Sequence, residues 1–168
     1  MELKKIAFGG GCHWCTEAVF QSLKGVEDVK QGFIASEGKN NTFSEAVIVS
    51  FTSEIELEVL VEIHLRTHKS TSKHTMRKKY RSAVYYFTAA QKEQCLHVLQ
   101  ELQNKFDAKI ITEILAFKEF KPSNEAFQNY YLKNPKKPFC ETYINPKLKL
   151  LLNTFSNHVN VSKISNTI

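Results

Sequence analysis

The chain has 168 residues, 42% of them hydrophobic and 11% aromatic, with a formal net charge of +6. That length suits one domain with enough interior to do without disulfide staples, and that composition excludes a disordered chain. No run approaches the roughly 18 apolar residues of a membrane span, and Ile6-Ala7-Phe8 is too short for the core of a signal peptide; the expectation is a cytoplasmic protein with no membrane contact.

Leu3 to Phe8 reads as a first strand, and Glu17 to Leu23 as a first helix ended by Gly25. Val26 to Ala35 and Phe43 to Phe51 are apolar or alternating and flank the turn-like Glu37-Gly38-Lys39-Asn40-Asn41, which predicts an antiparallel hairpin. Glu54 to His68 carries apolar residues at near-helical spacing. Ser82 to Phe87 is a β-branched and aromatic run, hence a strand; Ala89 to Phe106 is an amphipathic helix with Cys95 on its apolar side; Lys109 to Ala116 is a further strand. A short helix capped by Ser123 is expected to run to Leu132, and another from Pro146 to His158, after a Pro- and Lys-rich loop holding Cys140. This order predicts an α+β fold of the split β-α-β (ferredoxin-like) type, a two-layer sandwich with helices over one face of a sheet and a C-terminal helical and loop extension. One domain is expected over residues 1–158, with 159–168 a flexible tail.

The basic character is local. Between Ile63 and Gln91 there is no Asp or Glu, while Arg66, Lys69, Lys73, Arg77, Lys78, Lys79 and Arg81 supply seven positive charges and leave the rest of the chain at −1. Such a segment can steer acidic partners or face water. It places no aromatic between Arg66 and Lys79 on which a base could stack, so no nucleic-acid partner is expected.

Three of the six glycines precede Cys12 in Gly9-Gly10-Gly11-Cys12-His13-Trp14-Cys15-Thr16-Glu17. A strand that turns sharply into a helix leaves the first helical N–H groups unpaired around Cys12, where they favour a thiolate, the nucleophilic form. Four cysteines in a chain of this size make no disulfide scaffold; in a reducing compartment a Cys-x-x-Cys pair is redox-active or metal-binding. A zinc site completed by His64 and His68 is one reading, although the intervening stretch of about fifty residues far exceeds the usual 12 to 15. That reading gives a zinc-binding interaction module with a basic nucleic-acid-binding segment.

The redox reading takes in more of the chain. Gly11-Cys12-His13-Trp14-x-x-Glu17, Ser44-Glu45-Ala46-Val47, Thr67-His68-Lys69-Ser70-Thr71, Tyr80-Arg81-Ser82-Ala83-Val84-Tyr85 and Tyr131-Leu132-x-Asn134-Pro135 resemble, in order, segments of the peptide methionine sulfoxide reductase A family, which acts on the S epimer of methionine sulfoxide. The resemblance implies thiol-dependent reduction of methionine sulfoxide, peptide-bound or free, without a cofactor or metal, and repair of oxidised proteins. It makes Cys12 the nucleophile, Glu45 the acid that protonates the sulfoxide oxygen, and Tyr80 a second donor to that oxygen. His13, Trp14 and Phe33 would border the substrate. A carboxyl group acts as an acid near neutral pH only where burial disfavours its ionised form. Cys12 would end as a sulfenic acid, condense with Cys140 or Cys15 to a disulfide, and be reopened by a thioredoxin-like reductant. Cys140 resembles the family's C-terminal resolving thiol; Cys15 replaces a glycine.

The departures from the family pattern are chemical. His13 stands for an aromatic, Phe33 for a tyrosine whose hydroxyl is lost, and Thr75 for an aspartate in a segment about four residues shorter; Gly32-Phe33-Ile34-Ala35-Ser36 rewrites a glycine loop. They imply weaker activity or a different sulfoxide, with His13 or His74 taking up part of the lost role, or an inactive homologue.

Overall fold

In the computed structural model the described residues are 2–73 and 75–164, with the backbone alone at Thr75. His74 therefore lies outside the described residues. Six strands and five α-helices are described: β1 (Lys4–Gly9), α1 (His13–Gln21), β2 (Val26–Ala35), β3 (Ser44–Phe51), α2 (Leu57–Thr67), β4 (Ala83–Tyr86), α3 (Ala89–Leu102), β5 (Glu113–Ala116), β6 (Glu119–Pro122), α4 (Tyr130–Lys133) and α5 (Asn145–Thr154). The strands form one sheet in the order β5-β4-β1-β3-β2-β6. Every neighbouring pair is antiparallel except β4 and β5. Its four central strands give the expected split arrangement, since β3 lies between β1 and β2 and runs against both.

Alternation along the strands divides the interior in two. Ile6 and Phe8 of β1 and Val47, Val49 and Phe51 of β3 meet the helices in the main core. Ala7, Ala46, Ile48, Ala83 and Tyr85 line the opposite face, packed with Phe87, Leu115, Phe117 and Phe120. β3 is buried along its whole length because both its faces are covered.

Several boundaries differ from expectation. α1 starts at His13, four residues early, because the Cys12 carbonyl already accepts from the Cys15 and Thr16 N–H groups. The strand read over Lys109 to Ala116 is regular only from Glu113. β6 was not anticipated: its proline and charges conceal an edge strand whose register is set against β2, where Gly32 admits the Lys121 carbonyl at a place where a Cβ would come within 2.3 Å of it. The expected cap at Ser123 is instead Asn124, whose side chain accepts from the Ala126 N–H; the expected continuous helix is a single 3₁₀ turn followed by α4. Cys140 does not sit in a loose loop. It opens a π-helical turn, Cys140–Ile144, that runs straight into α5, and it is fully buried.

The tail expected to be flexible is docked over residues 159–164. Val159 pairs with Leu23 in an isolated bridge, the Asn160 N–H donates to the Ser22 carbonyl at 2.7 Å, and Val159 and Ile164 are buried in the main core. Residues 165–168 lie outside the described residues.

Candidate active site

β1 ends at Gly9, and Gly10 turns the chain with φ +152°; a Cβ there would come within 2.4 Å of the His68 ring, so the approach requires glycine. The turn delivers Cys12 to the N-cap of α1, half-exposed. Its thiol lies below the ordinary range, chiefly because the Cys15 S–H donates to its sulfur, with the Trp14 and Cys15 backbone N–H groups adding to the effect; burial and the Glu45 carboxylate oppose it. Cys15, one turn on and buried, is pushed up by donating that proton and by burial.

Glu45 faces the helices and not water. It shares the parity of Val47 on β3 and sits directly across from Phe33 of β2. At 7% exposure it accepts the His13 backbone N–H at Oε1, 3.1 Å away, and lies 3.6 Å from both His13 Nε2 and Lys79 Nζ. The His13 ring donates from Nδ1 to the Gly32 carbonyl at 3.0 Å, meets the edge of Phe33 at 5.3 Å and turns Nε2 toward Glu45. Tyr80 joins through Lys79, whose ammonium lies over its ring, 5.1 Å from the centroid. Cys12, His13, Phe33, Glu45, Lys79 and Tyr80 are thus one cluster at the end of β1 and the start of β3.

Trp14 lines one side of this cluster. Its ring stacks on Tyr130 at 4.1 Å, with Phe127 at 5.6 Å and Phe139 edge-on at 5.3 Å, and its indole N–H is buried without an acceptor among the described residues. Tyr130 is held there by Glu17, a buried carboxylate that accepts from the Asn129 and Tyr130 N–H groups and from Gln31 Nε2. Burial raises the Glu17 carboxyl above its usual range in spite of those bonds.

His64 and His68 are committed elsewhere than to Cys12 and Cys15. His64 Nε2 donates to the Gly9 carbonyl at 2.7 Å; His68 Nδ1 donates to the His64 carbonyl, and His68 Nε2 accepts from Ser82 Oγ at 2.7 Å. The two rings stack at 4.1 Å, and burial keeps both neutral, His68 down to about 4. Among the described residues no three His, Cys, Asp or Glu side chains gather in a way that could hold a metal ion.

The basic segment is not a free charged surface. Arg66 pairs with Glu62 at 2.8 Å, Arg77 donates to the carbonyls of Gly10, Lys69, Ser72 and Tyr80, and Arg81 donates to Thr42 and to the Tyr85 hydroxyl. Lys69, Lys73, Lys78 and Lys79 remain exposed.

Residues 4–159 match the family model described as "Peptide methionine sulfoxide reductase". The chain belongs to the peptide methionine sulfoxide reductase family. It is 35% identical to "Peptide methionine sulfoxide reductase MsrA" of Trichodesmium erythraeum (strain IMS101), over 94% of this chain and 98% of that protein. Reduced Mxr1 of Saccharomyces cerevisiae is similar in structure, with a TM-score of 0.72 and 26% identity over 84% of this chain and 91% of that one. Mxr1 in complex with Trx2 matches with a TM-score of 0.60 and 26% identity over 77% of this chain and 85% of that one. No described helix is long and apolar enough to cross a membrane.

Three residues that matter to this reductase fold carried no role in the sequence reading. Glu17 is buried by the returning C-terminal segment, Lys79 is one charge in a run of seven, and Lys147 is a lysine half-buried where α5 docks on α1 and α2. Sequence spacing carries a signal only for Glu17, which follows the Cys-x-x-Cys pair.

Proposed function

We propose that this protein reduces the S epimer of methionine sulfoxide to methionine, with Cys12 as nucleophile and Glu45 as general acid. The observation that carries the reading is the pairing of a thiolate-favouring N-cap with a buried carboxyl group held on the adjacent helical N–H. A sulfoxide sulfur becomes electrophilic when its oxygen gains a proton. Cys12 attacks the sulfur from the α1 side, while Glu45 gives the oxygen its proton and the Tyr80 hydroxyl and Lys79 ammonium share the developing charge. The oxygen passes to Cys12 as a sulfenic acid and methionine leaves. Trp14, Phe33 and the ring of His13 border the methyl group next to the reacting sulfur, apolar or aromatic surfaces that suit a methyl beside sulfur.

A thiol then condenses with the sulfenic acid. Cys15, already in contact with the Cys12 sulfur, closes the disulfide without moving a helix; Cys140, fully buried with its thiol directed at the Asn134 carbonyl at 3.5 Å, requires the π-helical turn to open. A thioredoxin-like reductant reopens the disulfide by exchange, and the reaction needs no cofactor. The exposed lysines around Tyr80 attract acidic segments of protein substrates or of the reductant, in a reducing cytoplasm where the four free thiols persist.

Chirally resolved reduction of the two methionine sulfoxide epimers, with dithiothreitol as electron source, tests this. Turnover of the S epimer with the R epimer untouched is expected. Loss of neither epimer would leave an inactive homologue.

A further inference from the structure

Beside Cys12 a cavity of about 40 Å³ is lined by Cys12, Cys15, Thr67, His64, His68 and Lys147 among others. Among the described residues no carboxylate lines it. Lys147, in the first turn of α5, is half-buried here with its ammonium donating to the carbonyl of Thr67, the last residue of α2. A helix C-terminus carries partial negative charge, but it leaves most of an ammonium's charge uncompensated. The neighbours on α2 do not help: His64 and His68 are neutral, and His64 Nδ1 has no partner among the described residues. Lys69, just beyond α2, is a like charge. Only the two thiols of α1 can supply a full negative charge within this cavity.

On the reading that Cys12 is the nucleophile and Cys15 the thiol that resolves it, we propose that Lys147 is a positioning residue for the second half of the cycle: it favours the Cys15 thiolate once Cys12 has become a sulfenic acid. Cys15 then has two roles in sequence. In the first half-reaction it is the hydrogen-bond donor that holds Cys12 as a thiolate, and the Cys12 charge in turn keeps Cys15 protonated. Oxidation of Cys12 removes that charge and that bond together. What remains beside Cys15 is Lys147, the one neighbour that opposes protonation. The Cys15 sulfur attacks the Cys12 sulfur, the sulfur–sulfur bond forms as the sulfur–oxygen bond breaks, and the proton released by Cys15 leaves with the hydroxyl group as water. Cys15 is oxidised and Cys12 reduced by equal amounts, so no further reagent is needed.

The test mixes enzyme with excess methionine sulfoxide and no reductant, then follows methionine release, sulfenic acid trapped with dimedone, and loss of free thiols across pH. Lys147→Met is expected to release methionine within about twofold of the normal rate while the sulfenic acid accumulates, because disulfide closure falls roughly tenfold near neutral pH with the thiolate fraction and recovers as pH rises. Lys147→Arg should restore closure. Closure by Lys147→Met at the normal rate with an unchanged pH profile overturns the proposal, as does an equal slowing of both steps that arginine does not rescue. Absence of methionine from the unmodified protein would instead defeat the functional reading. Lys147 is then judged by thiolate absorbance in Cys12→Ser, where adding Lys147→Met should move the Cys15 titration to higher pH by about one unit. No movement overturns the proposal independently of activity.

Discussion

His13 holds Glu45 from its backbone: the first N–H of α1 points at Glu45 Oε1 at 3.1 Å, while the same residue's ring is fixed through Nδ1 on the Gly32 carbonyl. The carboxyl group is thereby placed by a helix terminus, which cannot change rotamer, and it shares that terminus with the thiol it serves. A mutation that unwinds the first turn of α1 would displace nucleophile and acid together.

Glu45→Gln keeps an oxygen for the His13 N–H but has no proton to give. We expect single-turnover methionine formation to slow roughly a hundredfold or more, with sulfoxide affinity little changed. Unaltered single-turnover rates at saturating sulfoxide would show that the proton comes from elsewhere.

Cys12→Ser should abolish methionine formation even at stoichiometric enzyme, and Cys15→Ala should move its pH dependence. The Cys15 S–H is the largest influence holding the Cys12 thiol down, so its removal raises the Cys12 pKa and shifts the rising limb of the single-turnover pH profile to higher pH. A profile identical to that of the unmodified protein would contradict the contact.

The stacked histidines predict acid sensitivity. His68 titrates at about 4 when folded against 6.5 when free, so below pH 6.5 the unfolded chain binds more protons and stability falls as pH drops from 6.5 through 4. The loss for His68 alone is on the order of 3 kcal/mol, and His64, shifted in the same direction, adds to it. Urea midpoints at successive pH values check this: His64→Phe should flatten the curve between pH 6.5 and 4, and an unchanged slope would count against it.

Arg77→Met removes donors to four carbonyls that pin the segment after α2 against Gly10 and Tyr80. Limited proteolysis between Lys69 and Lys79 should become several times faster and reductase activity should fall, since opening energies of such segments set their cleavage. Equal cleavage rates would mean that the segment is held by its other contacts.

What the sequence disclosed depended on how local the determinant was. β2 was read to the residue because its apolar and turn residues define it without help. The start of α1 was hidden because Cys-His-Trp-Cys has no helical periodicity, and β6 because an edge strand owes its existence to a neighbour. Cys12, Glu45, Tyr80, His13, Trp14 and Phe33 were named from motif resemblance, and spacing left the facing of Glu45 open; the pairing with Phe33 directs it toward the helices. Lys147 could not be read at all. Its importance lies in sharing a cavity with Cys12 and Cys15, and one lysine among 23 basic residues carries no mark of that.

The docking of residues 159–164 onto the end of α1 makes the nucleophile's helix a strut with two anchors. At its start the strut is fixed by the turn from β1; at its far end Leu23 is clamped by Val159 and the Ser22 carbonyl by the Asn160 N–H. A cut or substitution that frees this distant segment would therefore be felt at Cys12 without touching any residue of the site.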